Sequence, residues 1–116
     1  MAMRSLGKVT TNAGTPVRLT ANEADTTARY VVHSFLVEVL QGNTTKIYVG
    51  ASNLNRTTLA GVYAVIPVPT LTAGVATILP SFSATVTYAS GAFNLAEVWM
   101  DVDSNGEGAL VSAIKA

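Results

Sequence analysis

The chain has 116 residues, in which seven Lys and Arg balance seven Asp and Glu, and it contains no cysteine. A chain of this length folds around one core, so we expect a single domain over residues 1–116. Zero net charge argues against nucleic-acid binding, because phosphate contacts need a basic excess. The lack of cysteine excludes a disulfide framework, a thiolate metal site and a cysteine nucleophile.

The first 29 residues contain two short strand-forming runs. Residues 8–11 and 16–20 are rich in Val, Thr and Leu, and residues 12–15 between them include Asn and Gly. This pattern predicts a first hairpin. Because large apolar side chains are few here, residues 1–29 are expected to form either that hairpin or an extended N-terminal arm.

Residues 33–41 are the clearest strand in the sequence. Apolar side chains fall on both of its faces, which is typical of a strand in the middle of a sheet. On one face lie Phe35, Val37 and Val39, and on the other lie Leu36, Glu38 and Leu40.

The rest of the chain is predicted to form short strands separated by turns. The strands span residues 46–50, 62–68, 76–79, 82–88, 97–102 and 109–114. The turns span residues 41–45, 72–74, 89–91 and 103–108, with a polar loop at 51–58. Proline cannot donate to a sheet, so Pro67 and Pro69 place residues 62–68 at a sheet edge. About eight short strands without a convincing helix predict an all-β domain, either a small β-sandwich of jelly-roll type or a barrel.

Charge is scarce and unevenly placed. Charged residues make up 12% of the chain, about half of the ordinary value, and the 40 residues from 57 to 96 contain none. Exposed surface needs charge to stay soluble, so we expect part of this surface to be covered by other protein, with Tyr63, Val65, Val68 and Trp99 as candidate contacts in an oligomer or on a larger shell.

Residues 59–79 are apolar enough to raise the question of a membrane span. Pro67 and Pro69 would break a lone spanning helix, so no membrane contact is expected. Residues 1–8 lack the apolar run of a secretory signal, which favours synthesis and folding in a cytoplasm.

The turn after the predicted strand 97–102 carries half of a calcium-loop pattern. Asp101, Asp103, Asn105 and Gly106 stand at the first, third, fifth and sixth positions, and alternating oxygen donors suit a hard cation. The twelfth position is Ser112, where a bidentate Glu belongs. A β-turn whose Asp and Asn side chains bond nearby backbone explains the same residues, so the pattern leaves both interpretations open.

No pattern of residues indicates an enzyme. His33 is the only histidine, and its place at a strand end is typical of a packing residue. No nucleophile-elbow or phosphate-loop pattern occurs. We therefore expect no catalytic residues and no cofactor, and a small hydrolase that depends on His33 is the weakest alternative.

Three segments of the chain each carry a distinctive pattern of residues. They are residues 15–19 (TPVRL), 42–50 (GNTTKIYVG) and 95–108 (LAEVWMDVDSNGEG). Together they resemble a group of small β-rich virion proteins of tailed bacteriophages, in which an extended strand, an IYVG strand and a closing DxDxNGEG hairpin occur in this order. Residues 63–93 depart from the group because they are longer and richer in Ala, Val and Thr.

The resemblance implies a structural virion protein, most specifically a capsid decoration (cement) protein that stabilises the head shell. It implies a homo-oligomer, with a trimer favoured because decoration occurs at local three-fold points, and the major capsid protein as partner. It also implies a location on the capsid surface after synthesis in the host cytoplasm. It brings no catalytic residues to this chain.

Trp99 supports an alternative function. With Tyr48, Tyr63 and Tyr88 it could form a stacking platform for sugars, as in a carbohydrate- or receptor-binding β-sandwich of a tail or head fibre. The competing interpretation places Trp99 in the sandwich or in a subunit interface, where amphipathic aromatic side chains are enriched.

Overall fold

A computed structural model describes residues 2–72, 75–78, 80–85 and 93–116. These residues form eleven strands and one 3₁₀ turn: β1 (Ala2–Thr11), β2 (Val17–Arg18), β3 (Val31–Val39), β4 (Ile47–Gly50), β5 (Val62–Ile66), β6 (Thr70–Thr72), β7 (Val75–Ile78), β8 (Ser81–Thr85), β9 (Phe93–Asn94), η1 (Leu95–Glu97), β10 (Trp99–Val102) and β11 (Glu107–Lys115). The prediction of an all-β fold is confirmed. The strand count exceeds the expectation of about eight because the short strands β6 and β9 were not predicted.

Two antiparallel sheets pack face to face. The first has the order β1-β11-β3-β8, with β9 also paired to β3, and the second has the order β2-β10-β4-β5. Strands β6 and β7 pair with each other. The side chains between the sheets form one apolar core, whose fully buried members include Leu19, Val37, Ile47, Met100 and Val111. The fold is therefore a small β-sandwich.

Strand β3 shows how the alternating pattern produces this core. Phe35, Val37 and Val39 are buried between the sheets, whereas Leu36 on the opposite face is exposed. Strand β3 lies between β11 and β8, so the predicted central position is confirmed. Its outward face, in contrast, borders solvent.

The predicted first hairpin is wrong. Strand β1 pairs along its length with β11 in the first sheet, whereas β2 pairs with β10 in the second sheet. The turn at residues 12–16 therefore carries the chain from one sheet to the other. Consecutive strands bury their apolar sides against each other across the core instead of sharing a sheet.

The same correction applies to the expected closing hairpin, because β10 and β11 also lie in different sheets. The turn between them lies beside the turn that links β3 to β4. There, the amide nitrogen Nδ2 of Asn43 donates to the carbonyl of Gly108 at 2.7 Å. The Glu107 carboxylate accepts hydrogen bonds from the backbone N–H and the hydroxyl of both Thr44 and Thr45. The two sheet-crossing turns are thus fastened to each other.

Two strands of the charge-free stretch 57–96, β5 and β8, lie on one side of the sandwich. Strand β5 forms the edge of the second sheet, as predicted, and β8 lies at the end of the first sheet's strand order. The two strands contact each other across the sandwich. The predicted turn 89–91, residues 73–74 of the turn 72–74, Leu79 and residues 86–88 lie outside the described residues.

Candidate functional site

The Asp-rich turn after β10 is built around the guanidinium of Arg56. Arg56 Nε lies 3.1 Å from Oδ2 of Asp101, and Nη1 lies 2.7 Å from Oδ1 of Asp103. Arg56 belongs to the loop after β4, which its own hydrogen bonds hold in shape: Asn55 Oδ1 accepts from the backbone N–H groups of Thr57 and Thr58. The loop thus places the guanidinium of Arg56 within ion-pair distance of both Asp101 and Asp103.

Other protein donors reach the remaining oxygens of this turn. Asp101 Oδ1 accepts from the N–H of Gly14 at 3.1 Å and of Val102 at 2.8 Å. Asp103 Oδ2 accepts from the Tyr48 hydroxyl at 2.9 Å. Asn105 Oδ1 accepts from the N–H of Ala13 at 2.9 Å. All five side-chain oxygens therefore have a protein donor.

This geometry favours a structural turn over a calcium loop. The guanidinium of Arg56 occupies the position between carboxylates that a cation would need. In the described part of the chain, no three His, Asp or Glu side chains come together in a way that could hold a metal ion. Gly106 has φ +83°, as the turn interpretation requires. Burial, followed by the hydrogen bond to Asp103, raises the pKa of Tyr48.

A second polar site lies on the outer face of the second sheet, around Trp99. In β10 this residue pairs with Arg18 of β2 on one side and with Gly50 of β4 on the other. The guanidinium carbon of Arg18 lies 4.4 Å from the centre of the Trp99 ring, within the range of a cation–π contact. Arg18 Nε donates to the carbonyl of Ala96 at 3.1 Å. Arg18 is therefore held in place over the indole.

A groove of about 410 Å³ runs beside this pair. Its lining residues are Arg18, Ala51, Ser52, Tyr63, Ala96, Glu97 and Trp99. Glu97 is placed by η1, which begins after Asn94: the Asn94 Oδ1 atom accepts from the N–H groups of Ala96 and Tyr30. Four separate segments thus converge on one groove: β2, the loop after β4, β5 and the η1–β10 region. Arg18 is far from Trp99 in sequence, so no local motif could have predicted it as a member, whereas Glu97 lies only two residues before Trp99.

The four predicted contact residues divide into two pairs. Tyr63, 60% exposed on β5, and half-buried Trp99 both line the groove. Val65 is 39% exposed on β5, and Val68 is 41% exposed just after that strand. Neither of the two valines lines the groove.

The other residues considered for a site are not gathered there. Tyr48 is engaged with Asp103, and Tyr88 lies outside the described residues. His33 is half-buried in β3, at the point where its register with β11 shifts. Leu36 and Leu110 are exposed on the outer face of the first sheet.

Among the residues that the structure describes, no helix has the length and apolar character needed to cross a bilayer. Comparisons of this chain with protein-family models, with curated proteins and with solved structures gave no match.

Proposed function

We propose that this chain is a structural bacteriophage virion protein of the capsid decoration type, which oligomerises and binds the head shell. A trimer on the major capsid protein is the arrangement that the sequence resemblance favours. The observation that carries the proposal is the uncharged side of the sandwich, where β5 exposes Tyr63 and Val65 and the chain beyond it exposes Val68.

Both sheets contribute uncharged strands to this side. Strand β5 has the sequence VYAVI and β8 has the sequence SFSAT. Ordinary monomers protect an edge strand with a Lys, a charge facing inward or a covering loop, because a bare edge pairs with other chains. The charge-free composition of β5 and β8 instead suits strands that another protein covers.

The absence of charged residues from β5 and β8 fits a protein that functions in contact with others. Interface centres are depleted in charged residues and enriched in Tyr, Trp and other aromatics. Tyr63 meets this description on the edge strand itself. Val65 and Val68 add apolar area beside it that a partner could bury, at about 25 cal/mol per Å² of apolar surface.

The test is the oligomeric state together with binding to shells. The purified chain is expected to be oligomeric in sedimentation or light scattering, and to bind undecorated phage heads and raise their melting temperature. The substitution Val65→Lys places a charge on the β5 edge and is expected to weaken both properties.

Leu110→Lys is the matched control. Leu110 is a similarly exposed apolar residue, at 45%, but lies on the outer face of the first sheet. The substitution Leu110→Lys is expected to leave both oligomerisation and binding to heads unchanged. A monomeric wild-type chain without affinity for heads would overturn the proposal, and equal effects of the two lysine substitutions would overturn the assignment of the contact surface to the β5 side.

A further inference from the structure

The groove beside Trp99 is lined by two aromatic side chains and several small ones. The aromatic residues are Trp99 and Tyr63, and the small ones are Ala51, Ser52 and Ala96. Gly50, the cross-strand neighbour of Trp99, adds no side chain. We propose that this groove binds a neutral sugar.

The charged groups at the groove select the class of ligand. Arg18 supplies only hydrogen-bond donors and Glu97 only acceptors. The Nε of Arg18 is engaged with Ala96, and in the described part of the chain no cation lies within 4.0 Å of Glu97. A net charge on the ligand would be attracted by one of these two groups and repelled by the other, so the pair as a whole favours neither an anion nor a cation. Hydroxyl groups, which both donate and accept, suit the two residues together.

The aromatic residues suit the remaining surface of a sugar. The C–H faces of a pyranose ring are apolar, and Tyr and Trp present large, rigid apolar faces with a polar tip. Tyr63 is 60% exposed, so its ring is accessible to a ligand. Trp99 is held by the stacked guanidinium of Arg18. The ligand would therefore meet one anchored and one accessible aromatic side chain.

The dimensions of the site suit a small saccharide. The groove has about 410 Å³, within the usual range of small-molecule sites. A neighbouring depression of about 360 Å³ shares Tyr63 and Glu97 with it. A ligand of more than one sugar unit could extend from the first into the second.

The binding site goes beyond the proposed structural function and does not depend on it. Val65 and Val68, which belong to the proposed contact surface, do not line the groove. Tyr63 lies at the border of both surfaces. Sugar binding and assembly are therefore separable by substitutions at Glu97 and Val65.

Trp99 provides the measurement, because it is the only tryptophan of the chain. The protein is titrated with millimolar glucose, galactose and N-acetylglucosamine while the fluorescence of Trp99 is recorded. Sialic acid and glucosamine serve as anionic and cationic comparisons. At least one neutral sugar is expected to change the fluorescence saturably and to bind more tightly than the two charged ones.

Two variants test the residues. Glu97→Gln and Tyr63→Ala change exposed side chains, and each is expected to weaken the binding of the neutral sugar about tenfold. Leu110→Ala, on the other sheet, is expected to leave it unchanged. Circular dichroism verifies that each variant is folded.

Three results would overturn the inference: no saturable response to any of the neutral sugars, tighter binding of either charged sugar, or equal affinity in Tyr63→Ala and the wild type. Light scattering on the same samples measures the oligomeric state, so sugar binding and assembly are tested independently. An oligomer that binds no sugar refutes this inference alone, and a monomer that binds sugar refutes the proposed assembly alone.

Discussion

Asp101 and Arg56 form an ion pair in which the carboxylate is buried and the guanidinium is only partly covered. Arg56 Nε lies 3.1 Å from Asp101 Oδ2, and the side chains are 29% and 4% exposed, respectively. Because the Asp101 carboxylate is buried, water cannot easily take the place of Arg56 beside it. The contacts of the Asp101 carboxylate in place of water are therefore Arg56 and two backbone N–H groups.

Replacing Arg56 with Ala is expected to lower the free energy of unfolding by about 2–4 kcal/mol, because it leaves a buried carboxylate without its cation. Arg56→Lys should recover only part of this, since an ammonium cannot reproduce the two-carboxylate geometry of the guanidinium. Chemical denaturation measures the free energy of unfolding of both variants.

Arg4→Ala is the control. Arg4 pairs with Glu23 at 3.5 Å in a more exposed position, and the loss of this pair should lower the free energy of unfolding by less than about 1 kcal/mol. Equal costs for Arg56→Ala and Arg4→Ala would contradict the assigned role.

Calcium is expected to leave the melting temperature of the wild-type chain unchanged. Binding at Asp101 and Asp103 would require the displacement of Arg56 and of the Tyr48 hydroxyl. Millimolar calcium chloride, compared with EDTA and with magnesium chloride, tests this in a thermal melt. A rise in melting temperature specific to calcium would revive the cation-loop interpretation of this turn.

The Glu107 carboxylate should make stability depend on pH. Burial alone would raise its pKa, but the hydrogen bonds from Thr45 and Thr44 outweigh that effect and lower the pKa below its ordinary value of 4.5. Folding therefore favours the ionised form, so this contribution is present above pH 4.5 and is lost as the pH falls through the lowered pKa. Glu107→Gln is expected to cost about 1–2 kcal/mol at pH 7 and less at pH 3.

Urea denaturation at both pH values measures this difference. Glu97→Gln, at an exposed carboxylate, is the control and should change the free energy of unfolding by less than about 0.5 kcal/mol. If the cost of Glu107→Gln is the same at pH 3 and pH 7, ionisation of this carboxylate does not stabilise the fold.

Gly108 is expected to be intolerant of any side chain. A Cβ atom there would overlap the carbonyl oxygen of Val9 and crowd the backbone of Thr10, which lie on the paired strand β1. Gly108→Ala should therefore cost about 3 kcal/mol or more. Gly42→Ala is the matched control, because a Cβ atom at Gly42 meets no atom within 4 Å. Thermal melts of the two variants should differ clearly, and similar melting temperatures would show that β1 can move aside.

The sequence was sufficient to predict where most of the strands lie, although not β6, β9 or the first half of β1. It was not sufficient to predict which strands pair. Alternation of apolar and polar residues identifies a face, as in β3, where Phe35 and Val37 are buried. It does not distinguish a turn that closes a hairpin from one that crosses between sheets, since both are short and polar. The predicted hairpin between residues 8–11 and 16–20 was wrong for this reason, and so was the closing hairpin.

In the candidate sites too, the local sequence patterns were predicted, but contacts between residues distant in sequence were not. The Asp101–Gly106 pattern was visible as a local motif, and Gly106 has the expected positive φ. Arg56 is 45 residues before Asp101 in a polar loop, so its pairing with the turn depends on tertiary structure. Trp99 and Tyr63 were predicted as contacts from their residue types. Arg18 became a neighbour of Trp99 only through the pairing of β2 with β10, whereas Glu97 is near Trp99 in the sequence itself.

The pairing of β1 with β11 has a consequence for biosynthesis. Ala2 lies opposite Lys115 in the register, so β1, which leaves the ribosome before β11, cannot pair until β11 has been synthesised. Strand β3 also needs β11 as its neighbour. Until residues 107–115 emerge, β1 lacks its partner in the described structure and one edge of β3 stays unpaired. Exposed strand edges of this kind are a state that chaperones bind. Such long-range closure predicts refolding on a timescale of about milliseconds to seconds.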